Sequence, residues 1–124
     1  DHAPHAPEEK ARPFDDAPFG VVGLETCLAA VLELVRAGRL ALPDLIERLT
    51  AGPARLFRLE AGSLAVGAAA DVACFDPEES WVVEPERFHS KSRNTPWAGE
   101  RLTGRVVHTL VGGRFVMRDR EMLA

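Results

Sequence analysis

From Leu24 onward, apolar residues recur at steps of three and four. Leu24, Leu28, Val31, Leu32 and Val35 line one face of a helix predicted over residues 24–37. Glu25 falls in its first turn, where a negative charge suits the helix dipole, and Gly38 suits a C-terminal cap. A second helix is predicted from Pro43, with Asp44 beside it, Leu45, Ile46 and Leu49 as its apolar face, and Gly52 as its end. A third, short helix runs from Pro53 through Leu56 and Phe57. Residues 1–23 show no periodicity. Prolines at 4, 7, 13 and 18 and glycines at 20 and 23 punctuate them, which predicts one long loop. Loops of that length are uncommon in compact domains and are often functional.

After Glu60 the pattern shifts toward strands. Residues 63–66 give a short apolar piece broken by Gly67. Asp71–Phe75 reads as a buried strand closed by Asp76-Pro77, and Trp81–Val83 as another. Val106–Val111, Gly112-Gly113 and Arg114–Met117 read as a hairpin, because the paired glycines supply the positive φ angles of a two-residue turn. The order is loop, helices, then short antiparallel strands. The first half resembles the end of an α/β unit and the second half part of a small β-sandwich. The helix over 24–37 has no parallel strand in this chain to cover, so neither half is expected to be self-contained.

Composition narrows the class. The chain has 124 residues, 46% hydrophobic and 27% charged, with a mean hydropathy of −0.08, which is globular and the size of one ordinary domain. A net charge of −4 and a pI near 5.6 argue against nucleic acid as a partner. No apolar run reaches the roughly 18 residues of a membrane span, and the polar, acidic start does not read as a signal peptide. Cys27 and Cys74 have no second Cys or His at metal-ligand spacing and are expected to be small buried hydrophobes in a reducing, cytoplasmic setting.

The candidate chemistry lies at the start. Asp1-His2-Ala3-Pro4-His5 packs a carboxylate and two imidazoles into one proline-stiffened segment, with no Met ahead of it. That placement predicts the back part of a longer protein, beginning at an active-site loop. By residue type alone a metal role stays open, since zinc sites need three or four ligands and His2 and His5 are only two.

Five segments in order carry a resemblance. Asp1–His5 resembles the Asp-His-Ala-Pro-His motif of dihydroorotases, metal-dependent members of the amidohydrolase superfamily. Pro18–Thr26 is similar to that family's P-F-G-x-x-G-x-E-T segment, and Pro53–Phe57 to the helix before its tail. Gly67–Val72 resembles the G-x-x-A-D segment found across amidohydrolases, and Ser90–Trp97 resembles S-x-x-x-N-T-P-F. The resemblance implies an α/β fold: residues 1–59 as the last loop and helices of a metal-dependent (β/α)8 barrel, residues 60–124 as part of a C-terminal β-sandwich. It implies reversible cyclisation of N-carbamoyl-L-aspartate to L-dihydroorotate in pyrimidine biosynthesis, with one or two zinc ions. Asp1 would bind a metal and serve as general base and acid. His5 would bind substrate, and Phe19 and Gly20 would offer backbone groups to its ring. The implied partners are the N-terminal remainder of the same enzyme, with a second copy or aspartate carbamoyltransferase as further candidates.

Residue types set the alternatives. His2 has less claim than His5 and reads equally well as a loop support. Glu25 and Thr26 read as a helix start, Glu8-Glu9-Lys10 as a solvated loop face, and Lys91 and Arg93 as surface or packing contacts. His89 and His108 lie in the tail, where the family places no catalytic groups. Hydantoinases resemble Asp-His-Cys-Pro-Phe at the first motif, and allantoinases also differ at the position of His5. A substrate with an α-carboxylate calls for a polar partner there, which favours the dihydroorotase reading. An inactive dihydroorotase-like subunit that scaffolds aspartate carbamoyltransferase, and a stand-alone binding module, are the readings outside catalysis. The family's other metal ligands lie upstream of this segment, so the isolated chain is expected to be inactive.

Overall fold

A computed structural model describes residues 1–123. Four α-helices, α1 (Pro7–Lys10), α2 (Cys27–Arg36), α3 (Leu42–Leu49) and α4 (Ala51–Phe57), precede four strands, β1 (Val72–Val82), β2 (Arg101–Val111), β3 (Arg114–Arg118) and β4 (Glu121–Met122). A short 3₁₀ turn at Pro85–Arg87 lies between β1 and β2.

The long loop predicted over 1–23 contains α1. Pro7 starts it, and the Glu9 carboxylate accepts the Ala6 N–H at 3.1 Å, so a single turn forms where periodicity has no room to show. The helix predicted over 24–37 starts later, at Cys27, because residues 24–26 form a turn in which the Thr26 N–H bonds the Gly23 carbonyl. Its buried face is therefore rotated. Thr26, Ala29 and Leu32 face inward, while Leu24, expected inside, is 78% exposed. Leu32 packs on β2 so closely that a Cβ on Gly104 would lie 2.3 Å from its Cδ1. The end of α2 is as expected: the Gly38 and Arg39 N–H groups bond the Val35 and Leu34 carbonyls, the paired bonds of a Schellman cap.

Pro43 lies in the first turn of α3 and Leu45 is buried, but Gly52 does not end that helix. The break is at Thr50, whose hydroxyl donates to the Ile46 carbonyl at 2.6 Å, and Gly52 belongs to α4. That helix stops at Arg58, which takes a left-handed conformation with φ 55°.

The strands form one antiparallel sheet in the order β1-β2-β3-β4. Asp76-Pro77 does not close a strand, and the two strands expected at 71–75 and 81–83 are one. Pairing passes from Asp76↔Arg105 to Ser80↔Thr103, so Pro77, Glu78 and Glu79 bulge opposite Gly104 alone. The Asp76 carboxylate accepts the N–H groups of Glu78 and Glu79, and proline, which cannot donate to a ladder, sits where no ladder bond is required. Nor is the stretch 71–75 buried: β1 is an edge strand, and Cys74 on it is exposed. Cys27, one position off the inward face of α2, is exposed as well, against the expectation for both cysteines. Residues 63–66 form no strand, and Leu64 and Val66 are exposed. The hairpin is as predicted, with Val111↔Arg114 flanking Gly112 (φ 55°) and Gly113 (φ 76°).

The core cluster is Val22, Ala29, Val83, Phe88 and Leu102, with Trp81 and Trp97 packed against it. It draws residues from both sides of position 60. Beyond it much apolar surface is open, including Phe14, Phe19, Leu24, Leu56 and Phe57. No helix among the described residues is long and apolar enough to cross a membrane.

Candidate active site

Two segments run side by side to form the site. The Ala3 N–H donates to the Val21 carbonyl at 2.8 Å. The His2 ring accepts at Nδ1 from the Gly23 N–H (3.1 Å) and more weakly from the Leu24 N–H (3.4 Å), which places its proton on Nε2 when the ring is neutral. Two glycines permit this approach. Gly20 has φ 95°, and a Cβ there would lie 2.4 Å from the Cβ of Ala3. At Gly23 a Cβ would lie 2.1 Å from the carbonyl oxygen of Asp1. The close approach that Gly20 permits is thus to the chain's own first segment.

Asp1 is exposed and lies beside Gly20. Its Oδ1 accepts the His2 N–H at 2.8 Å, and its Oδ2 is 3.8 Å from the point a Gly20 Cβ would occupy. Among the described residues Oδ2 accepts no hydrogen bond. His5 is half-buried, and its Nε2 lies 2.8 Å from the Phe19 carbonyl, to which it donates. The neutral ring then offers only an acceptor at Nδ1, 3.8 Å from the Glu9 carboxylate. Donation to a ligand requires the ring to release Phe19 or to carry a second proton. The Phe19 side chain is 92% exposed. Asp1, His5, Phe19 and Gly20 therefore share one surface, with His2 as a structural tie behind it.

Three polar residues shape this surface without having been singled out for it. Lys10 donates through Nζ to the Pro18 carbonyl (2.9 Å) and the Gly20 carbonyl (3.2 Å), so it is a bridge and not part of a solvated face. The Asn94 side chain bonds His5, Ala3 and Gly20. The Glu25 carboxylate accepts the His89 and Ser90 N–H groups, each at 3.0 Å, and so ties the start of α2 to the later loop. Arg93 bonds the nearby Ser90 and Ser92 carbonyls, a packing contact as expected. His108 accepts the Asp119 N–H at 3.1 Å within the sheet, away from this surface. A cavity of about 150 Å³ is lined by His5, Pro7, Lys10, Arg93 and Asn94.

No group of three or more His, Cys, Asp or Glu side chains among the described residues could hold a metal ion. At this surface Asp1 offers one carboxylate oxygen that accepts no hydrogen bond among the described residues. That donor set fits a single ligand contributed to a centre completed from elsewhere.

Comparison with known proteins adds the relatives. Residues 22–117 match the profile of the amidohydrolase family. A dihydroorotase of Anaeromyxobacter dehalogenans is 59% identical over 119 residues, covering 96% of this chain and 28% of that protein. Dihydroorotases of Pelotomaculum thermopropionicum and Clostridium acetobutylicum are 50% and 46% identical over 121 residues, each covering 97% of this chain and 28% of the relative. The chain thus spans little more than a quarter of the length of these relatives. Among solved structures, a D-hydantoinase (dihydropyrimidinase) from Thermus sp. superposes with a TM-score of 0.86 at 25% identity, over 100% of this chain and 28% of that one. An L-hydantoinase (dihydropyrimidinase) from Arthrobacter aurescens gives 0.80 at 36% identity, over 88% and 25%. These likenesses give the chain an α/β hydrolase fold.

Proposed function

The chain belongs to the amidohydrolase family, and from that premise we propose that it forms the C-terminal part of a dihydroorotase, which interconverts N-carbamoyl-L-aspartate and L-dihydroorotate in pyrimidine biosynthesis. In this reading residues 1–59 are the final loop and helices of a (β/α)8 barrel and residues 60–124 belong to a β-sandwich. The remaining walls of the pocket come from the N-terminal part of the same enzyme, in the cytoplasm. A second copy or aspartate carbamoyltransferase is the proposed macromolecular partner.

The observation that carries the reading is the joining of Asp1, His5, Phe19 and Gly20 on one surface through the His5–Phe19 bond and the Asp1–Gly20 approach. Identity supports the choice of substrate. The dihydroorotases matched are 44–59% identical to this chain, against 25% and 36% for the two hydantoinases. His5 supports it too, since its ring, on releasing Phe19 or gaining a second proton, can donate to the substrate's carboxylate where an apolar side chain cannot.

Asp1 would hold zinc through its free Oδ2. Zinc held there would supply Lewis acidity to the ring carbonyl and would lower the pKa of water toward about 7. In the hydrolytic direction water adds to the carbonyl carbon of the ring amide. The Asp1 carboxylate accepts a proton from that water and delivers it to the amide nitrogen as the C–N bond breaks. Cyclisation runs the same steps in reverse. His5 orients the substrate carboxylate, and the Phe19–Gly20 backbone faces the ring.

The test is turnover by the full-length enzyme that contains this chain, with and without Asp1→Asn. The wild type is expected to hydrolyse L-dihydroorotate, and the variant to lose nearly all turnover while keeping its fold. Near-normal turnover by the variant would rule out proton transfer by Asp1. Hydrolysis of hydantoin in preference to L-dihydroorotate would transfer the chain to the hydantoinases.

A further inference from the structure

We infer that Asn94 is a positioning residue for substrate at this site, acting on His5 and Gly20 without touching the reacting atoms. The inference rests on the dihydroorotase reading above.

One amide side chain joins three distant points of the chain. Asn94 Oδ1 accepts the His5 N–H at 3.2 Å, and its Nδ2 donates to the Ala3 carbonyl at 2.8 Å and to the Gly20 carbonyl at 3.4 Å. Its own backbone carbonyl accepts the Val22 N–H at 3.0 Å. The segment opening the chain and the segment around Gly20 are thereby held against the same residue, 89, 91 and 74 positions from His5, Ala3 and Gly20. The side chain is half-buried and lines the small cavity beside His5.

The amide is specific in chemistry and orientation. Its oxygen meets a donor and its nitrogen meets two acceptors, so a flipped amide would oppose like partners at all three contacts. Asp has nearly the same shape but lacks the donor. It would keep the His5 bond and set a carboxylate oxygen against two carbonyls. Ser is too short to span the three points.

The contacts also assign the kinetic effect. Asn94 touches two of the three residues proposed to meet the substrate, His5 and Gly20, and makes no bond to Asp1, which is tied instead through His2 and Gly23. Loss of the amide should therefore weaken substrate binding and leave proton transfer and metal content largely intact.

The experiment measures KM, kcat, zinc content and thermal midpoint for full-length wild type, Asn94→Asp and Asn94→Ser, with L-dihydroorotate as substrate. The expected result is a KM raised about tenfold or more, with kcat within about twofold and zinc unchanged. If Asn94→Asp does not fold, Asn94→Ser carries the test with the same expectation. A lowered thermal midpoint with wild-type KM would overturn the inference, since it would show a purely structural role. So would a loss confined to kcat or to zinc. Absence of turnover in the wild type would instead overturn the dihydroorotase reading and the inference with it.

Discussion

Gly23→Ala in the full-length enzyme offers a sharp test of how Asp1 is held. Gly23 is not in the left-handed region, so alanine brings no backbone strain there and the effect is steric. The added Cβ would lie 2.1 Å from the Asp1 carbonyl oxygen, and the obstacle is main chain, which cannot swing away as a flexible side chain can. A tolerable C···O contact is about 3.3 Å, so the two segments must separate by roughly 1 Å. The same shift strains the bond from the Gly23 N–H to His2. Misplacement of a reacting group by about 1 Å can cost on the order of 100-fold in rate. The expected outcome is a fall of that size in kcat with L-dihydroorotate, accompanied by partial loss of zinc, and a KM changed far less. Steady-state kinetics with metal analysis on the purified variant reads all three. A Gly23→Ala enzyme with wild-type kcat and full zinc would refute the reasoning, because Asp1 would then tolerate a displacement that proton transfer and metal binding should not. The pattern is opposite to that expected at Asn94, so the two variants separate the anchoring of the carboxylate from the anchoring of the substrate contacts.

Two further outcomes follow from the same geometry. Thr26 is 1% exposed and its hydroxyl finds no hydrogen-bond partner among the described residues. Thr26→Val in the full-length enzyme, nearly equal in shape, should therefore leave stability unchanged or raise it by about 1 kcal/mol, read as an unchanged or higher thermal midpoint; a clear fall would show that the hydroxyl is satisfied. The isolated 124-residue chain, incubated with zinc, should show no turnover of L-dihydroorotate, since its described residues contain no group of three or more side chains able to hold a metal; measurable turnover would overturn that view.

Two local features are legible in the sequence. The end of α2 is legible in Gly38 because a Schellman cap is made within six residues, and the hairpin is legible in Gly112-Gly113 because the turn's φ requirement is local. Other errors lie where tertiary contacts decide. The five-residue stripe from Leu24 to Val35 holds at Leu32, which packs against Gly104, and fails at Leu24, while Thr26 and Ala29 turn inward. Asp76-Pro77 carries the composition of a turn, but pairing with β2 on both sides absorbs it as a bulge. Glu25 is predicted in the first turn of a helix that in fact starts two residues later, and its bonds are to backbone 64 and 65 residues away. Asp1, His5, Phe19 and Gly20 came from motif resemblance. Asn94 lies in the Ser90–Trp97 motif with no role attached to it and Lys10 in none, because an amine or an amide in isolation carries no sign of the carbonyls it will meet.

The core cluster also limits how this segment can be recombined with its relatives. Val22 and Ala29 lie before position 60, while Val83, Phe88 and Leu102 lie after it. A chimaera with its crossover between the last helix and the first strand would set one parent's helical face against another parent's sheet. It would also divide the Glu25 and Asn94 bonds between two lineages. A crossover ahead of Asp1 transfers the loop, the helix and the sheet together, and keeps each side chain with the neighbours it was selected beside.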